Sequence, residues 1–134
     1  MNNLSLIIGL SEEQNASVPS DYSSSNPLSK SSEYWLAWNS YIFVKFEGFF
    51  DADGDGEPET GFNLHLGSDA ASRPIARNSD DSDGEISLII DLMDVFDNGQ
   101  IYDIRTNPNI HSLEQMPLAE FLMDNLASSL RLED

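Results

Sequence analysis

The sequence predicts an all-β fold, an antiparallel β-sandwich closed by a short C-terminal helix. Apolar and polar residues alternate with period two in several short segments, and no helices alternate with the strands as in a βαβ protein. Helical periodicity over more than one turn occurs only near the end of the chain. Hydrophobic residues make up 40% of the 134 positions, which is enough for one core, so residues 1–134 are predicted to form a single domain.

The first half of the chain contains three predicted strands. An apolar segment at 4–10 begins almost at the first residue, and a loop rich in serine, asparagine and proline follows at 11–32. Residues 41–50 and 62–67 then alternate with period two on either side of an acidic turn at 51–61. These two segments are therefore predicted to form a β-hairpin.

The second half is predicted to contain shorter elements. A polar loop at 68–84 leads into a strand at 86–92, where apolar residues again alternate. A helical turn at 93–96 ends at Asn98-Gly99, and a short strand is predicted at 101–104.

The two ends of the chain differ in character. Pro117 suits the first turn of a helix, and apolar residues follow it at helical spacing: Leu118, Phe121, Leu122, Leu126 and Leu130. At the other end the chain opens directly in a strand, without the basic segment and apolar stretch of a signal peptide. We therefore expect a domain that lacks upstream strands, as a fragment or a sequence with a misplaced start.

The charge of the chain excludes several classes of partner. Six lysines and arginines stand against 24 aspartates and glutamates, which gives a formal net charge of −18. Such a surface repels phosphate groups and anionic lipids, so nucleic-acid binding is not expected. No apolar run approaches the roughly 20 residues of a membrane span. The lack of cysteine excludes disulfides, zinc–thiolate sites and thiol chemistry.

The turn of the predicted hairpin resembles a calcium loop. Aspartates occupy positions 1, 3 and 5 and a glycine occupies position 6, a spacing that turns alternate carboxylates towards one ion. Phe62 stands where an EF-hand has its bidentate glutamate, so a shorter calcium loop or a solvated acidic turn are the two interpretations. The candidate calcium ligands are Asp51, Asp53, Asp55, Glu57 and Glu59.

The chain has two histidines, His65 and His111. His65 alternates away from the apolar face of its strand, and imidazole is a common copper ligand where thiolate is lacking. A lone histidine is more often structural or exposed, and Trp35 and Trp38 by themselves favour core packing. The chain contains no glycine-rich phosphate loop, no GxSxG and no HExxH, so we do not expect an enzyme.

Taken in order, six segments resemble the carboxy-terminal part of the MbnP-like family, the methanobactin-associated copper-binding proteins. They are LSLIIGLSEEQN (4–15), NPLSKSSEYWLAWNSYIFVKFEG (26–48), GFNLHLG (61–67), DLMDVFDNG (91–99), NPNIHS (107–112) and LMDNLASSL (122–130). The resemblance implies a periplasmic or extracellular β-sandwich that binds copper and accompanies a di-haem cytochrome of the peroxidase type.

The resemblance also implies a site. In such proteins a tryptophan is oxidised to kynurenine and joins histidines in holding copper. His65, in F-x-x-H-L-G, and His111, in H-S, correspond to the imidazole ligands, and Trp35 is the better-matching tryptophan. The family spacing W-x-W is W-x-x-W here, so whether Trp35 or Trp38 is oxidised stays open.

Two functions from different classes follow. The first is a non-enzymatic copper-binding module of an exported β-sandwich protein, which handles copper or is the substrate of a di-haem oxidase. The alternative is a calcium-stabilised extracellular sandwich with a structural or adhesive role and no copper.

Overall fold

The computed structural model describes residues 2–79 and 86–133. The strands of these ranges are β1 (Asn2–Ile8), β2 (Tyr34–Trp35), β3 (Ser40–Phe50), β4 (Thr60–Gly67), β5 (Arg73–Ser79), β6 (Leu88–Ile90), β7 (Asn109–Ile110) and β8 (Leu130–Leu132). The helices are α1 (Glu12–Asn15), α2 (Leu92–Phe96) and α3 (Met116–Ser129), and short 3₁₀ turns join several elements.

The strands form three small sheets. The central sheet has the order β2-β3-β4-β7, in which β7 lies parallel to β4 and the other pairs are antiparallel. Strands β1 and β5 form an antiparallel ribbon, and β6 pairs antiparallel with β8. The central sheet carries every predicted copper-site residue or its immediate neighbour.

The hairpin of β3 and β4 confirms the alternation seen in the sequence. Leu64 and Leu66 are fully buried on the core face, whereas His65 lies on the opposite face. The register pairs Phe46 with Leu64 and Lys45 with His65. The core and the histidine face are thus two sides of one strand.

Helix α3 covers the core face of the central sheet. Proline stands in its first turn, as predicted, and the helix buries Leu122 and Met123 completely. At its C-terminal end, the guanidinium of Arg77 donates hydrogen bonds to the carbonyl oxygens of Ala127 and Leu130 at 2.8 and 2.9 Å. A cation at this end also complements the helix dipole.

The predicted all-β class is confirmed in part: the described residues form mostly antiparallel strands, but the fold is not purely all-β, because 33% of these residues are helical when 3₁₀ turns are included. The mostly antiparallel strands and the C-terminal helix are confirmed, and the helical turn after residue 92 is α2. The predicted loop at 11–32 contains α1, whose first turn is held by a capping box between Ser11 and Gln14. The hydrogen bonds of this capping box explain why a helix forms in a segment that has no helical periodicity.

Three further predictions, of one loop and two strands, also need correction. Strand β5 falls in the predicted loop at 68–84, of which 80–85 lie outside the described residues. Pro74 argues against a strand in the sequence, because proline cannot donate a hydrogen bond to a neighbouring strand. An edge strand of a two-stranded ribbon tolerates proline. The strand expected at 101–104 is reduced to a bridge between Asp97 and Ile101, because Ile101 is 74% exposed and has no core to face. The strand expected at 86–92 is limited to β6.

Within the described ranges, none of the helices combines the length and the apolar character that crossing a membrane requires.

Candidate metal centre

The parallel pairing of β4 with β7 brings the two histidines together. Leu64 pairs with Ile110, and both side chains are fully buried in the core. The residues that follow them, His65 and His111, leave the core on the opposite side. Their ring centroids are 4.8 Å apart, so the structure joins two side chains that are distant in the sequence.

Gln115 holds the backbone on both sides of His111. Its side-chain oxygen accepts a hydrogen bond from the backbone N–H of His111 at 2.8 Å, and its amide donates to the carbonyl of Asn109 at 2.7 Å. Gln115 is not among the residues predicted from the sequence, although Ser112 and Gln115 form the S-x-x-Q capping box that precedes α3. That motif is the signal that would have found it.

Trp35 covers the histidine pair. Its ring stacks on His111 with centroids 5.5 Å apart and planes inclined by 23°, and it meets His65 edge-on at 5.9 Å. The indole N–H donates to the carbonyl oxygen of His111 at 3.2 Å. Pairing of Trp35 with Ser40 of β3 sets this position. All three residues implied by the resemblance therefore meet at one place.

The second tryptophan has a different environment. Trp38 is 7% exposed and packs in the core, with its ring centroid 6.3 Å from that of Trp35. Its indole nitrogen is buried and finds no hydrogen-bond partner within the described part of the chain. Of the two rings, it is Trp35 that contacts both imidazoles.

One nitrogen of each imidazole is buried and unsatisfied. Nδ1 of His65 and Nε2 of His111 are inaccessible to solvent and form no hydrogen bond among the described residues. A buried polar atom without a partner costs about 1–3 kcal/mol. Two unpartnered imidazole nitrogens on rings whose centroids are 4.8 Å apart fit a shared metal ion, because a metal bound to the unprotonated nitrogen of each ring would satisfy both atoms at once.

The electrostatics favour the neutral, ligating form of His111. Burial lowers the pKa of His111, and the neighbouring His65 lowers it further, whereas the Glu47 carboxylate opposes the shift. Because a metal binds the unprotonated imidazole, this lowered pKa leaves the nitrogen available at neutral pH.

The acidic hairpin loop forms a separate cluster. Carboxylate oxygens of Asp51, Asp53, Asp55 and Glu59 all lie within 4.8 Å of one another. Glu57, which the sequence included among the ligands, is not in this group. The backbone N–H groups of Gly56 and Gly54 donate to Asp51 at 2.8 and 2.6 Å, and these bonds lower its pKa. The cluster therefore has the charge and spacing to hold a metal ion.

A family model, MbnP, matches residues 1–112. The chain belongs to the MbnP family. The resemblance noted in the sequence is thereby confirmed, and membership of this methanobactin-associated family is consistent with metal binding. The MbnP match includes Trp35, His65 and His111 together with the acidic loop. No curated protein and no solved structure matched the chain.

Proposed function

We propose that this protein binds copper through His65 and His111 and acts as a non-enzymatic copper-handling protein. The observation that carries the proposal is the pair of buried, unpartnered nitrogens, Nδ1 of His65 and Nε2 of His111, on rings 4.8 Å apart. Two imidazoles in a chain without cysteine favour copper among the borderline metals. Family membership supports the same conclusion.

Trp35 belongs to this proposal as the third member of the site. Its ring lies against both imidazoles, which is where a tryptophan converted to kynurenine would add an amine or carbonyl ligand. A di-haem peroxidase-type protein is the partner proposed for that oxidation, and a periplasmic or extracellular location is proposed for both. Peptide mass spectrometry of protein isolated from its native source would locate the modification at Trp35 or Trp38.

Copper binding is tested with two single variants, His65→Ala and His111→Ala. We expect the unaltered protein to retain close to one copper per chain after loading and dialysis, and each variant to lose it, because each removes one of the two proposed ligands. Metal content by elemental analysis is the measurement. The chain has two histidines in all, so no third imidazole can substitute.

Asp53→Ala is the matched control, because it alters the acidic loop and leaves the imidazoles in place. It should retain copper. Equal copper in the unaltered protein and in both histidine variants would contradict the proposal, as would an unaltered protein that retains none.

A second candidate function is calcium-dependent stabilisation of an extracellular structural or adhesive module. It is favoured by the four carboxylates of the acidic loop whose oxygens lie within 4.8 Å of one another. Calcium prefers such oxygen ligands, and the loop and the histidine pair share no residue. The two functions are therefore compatible and separable by mutation.

Calcium should raise the melting temperature of the unaltered protein, because an ion that binds only the folded state stabilises it. At a concentration of about 100 times Kd the stabilisation is about 2.7 kcal/mol. Asp53→Ala removes a carboxylate from the cluster and should abolish most of this shift in thermal unfolding. Glu57→Ala removes the same charge from a residue outside the cluster and should leave the calcium-dependent rise in melting temperature unchanged. A calcium response unchanged by Asp53→Ala would refute this site.

A further inference from the structure

The carboxylate of Glu47 contacts the ring nitrogen of His65 that is not proposed to bind the metal. Its Oε1 lies 2.6 Å from Nε2 of His65, a distance typical of a strong, charge-assisted hydrogen bond. A carboxylate can only accept, so the imidazole nitrogen is the donor and carries the proton. In the neutral ring the other nitrogen, Nδ1, then holds a free lone pair, and Nδ1 is the atom found buried without a partner.

The neighbouring cation does not compete for Glu47. Lys45 stands directly opposite His65 in the hairpin, on the same face of β3 as Glu47. Its ammonium instead pairs with Glu33 at 3.0 Å and donates to the carbonyl of Ser32 at 3.0 Å. The hydrogen bond from Lys45 lowers the pKa of Glu33. Lys45 is therefore held by Glu33, which leaves the Glu47 carboxylate to His65.

Glu47 does not fit the role of a third ligand to the same ion. A site with three protein ligands needs three ligand atoms close together. Across residues 2–79 and 86–133, only the acidic loop brings three or more such atoms within 4.8 Å of one another. Glu47 and the two histidines do not form such a group. Its side chain is also 50% exposed, whereas that of His65 is 13% exposed. Glu47 thus contacts a proposed ligand from the solvent side.

We infer that Glu47 is the positioning residue of the metal centre: it fixes the proton on Nε2 of His65 and thereby presents Nδ1 as the donor atom towards His111. The inference rests on the proposed copper site. Partners of this kind orient ligating histidines, and their loss typically lowers metal affinity about 10–100-fold. The sequence alone does not indicate Glu47, because only the register of the hairpin places it beside His65.

The first test reads the proton on His65 without metal. In ¹⁵N-histidine-labelled apoprotein, at a pH above the range in which imidazoles take up protons, long-range ¹H–¹⁵N spectra should show His65 as the Nε2–H tautomer. Glu47→Ala should change its ring ¹⁵N shifts towards a mixture of tautomers, whereas Glu47→Gln, which keeps an oxygen acceptor, should restore part of the preference. Glu13→Ala, an exposed residue of α1, removes the same charge and should leave the spectrum unchanged.

The second test measures copper affinity by competition with a chelator. Glu47→Ala should bind copper about 10–100-fold more weakly than the unaltered protein, and Glu13→Ala should match the unaltered protein. An unchanged tautomer or an unchanged affinity in Glu47→Ala would overturn the inference while leaving the copper site intact. If the unaltered protein binds no copper, the proposed function fails, and the spectra alone decide whether Glu47 sets the proton on His65.

Discussion

Replacing Leu64 by alanine is expected to lower the free energy of unfolding by about 2–5 kcal/mol. Leu64 is fully buried, packs in the main core cluster and pairs with Phe46 on one side and Ile110 on the other. Its truncation removes apolar contacts and leaves a cavity where three strands meet. Since domains of this size are stable by roughly 5–15 kcal/mol, the loss is a large fraction of the total.

The same change should weaken copper binding, because the pairing of Leu64 with Ile110 is what places His111 beside His65. Urea unfolding followed by tryptophan fluorescence measures the stability, and chelator competition measures the affinity. Leu36→Ala is the matched control, since Leu36 is 81% exposed and its loss should change stability by less than about 0.5 kcal/mol. Equal effects of the two changes would contradict the assignment of the core.

Replacing Gly67 by alanine is expected to destabilise the protein by about 1–3 kcal/mol through overpacking. A Cβ atom at this position would lie 2.5 Å from the backbone oxygen of Tyr41 and 3.2 Å from the ring of Trp38. Neither neighbour is the free end of a flexible chain, so the strands or the indole must move. The urea midpoint should fall, and the near-ultraviolet circular dichroism of Trp38 should change.

Gly61 offers a control on the same strand. A Cβ there would meet its nearest atom at 3.7 Å, an ordinary van der Waals distance. Gly61→Ala should therefore be close to neutral in the same urea titration. If the Gly67→Ala protein is as stable as the Gly61→Ala protein, β3 and Trp38 do not lie as close to Gly67 as the structure places them.

The elements with strong periodicity could be predicted from the sequence. In the β3–β4 hairpin, alternation of apolar and polar residues predicts that Leu64 and Leu66 face the core. In α3, helical spacing predicts the same for Leu122 and Leu126. Strand β5 and the short β7 could not be predicted, because their pairing with β1 and β4 is long-range and neither segment shows a clear period.

The residues of the candidate site could also be predicted only in part from the sequence. His65, His111 and Trp35 were identified from residue type and family resemblance, but their contact depends on the parallel pairing of β7 with β4, which no local pattern predicts. Glu47 required the hairpin register, whereas Gln115 was accessible through its capping box. The acidic loop was predicted from spacing, and the turn geometry then excluded Glu57 from the cluster.

X-ray absorption at the copper edge of the loaded protein identifies the atoms that bind the ion. The chain contains two histidines, so imidazole scattering from copper can come from His65 and His111 alone. We predict two imidazole ligands, with copper–nitrogen distances of about 2.0–2.1 Å as for imidazole on zinc. A shell of oxygen ligands without imidazole scattering would place the copper on carboxylates such as those of the acidic loop and would contradict copper binding by His65 and His111.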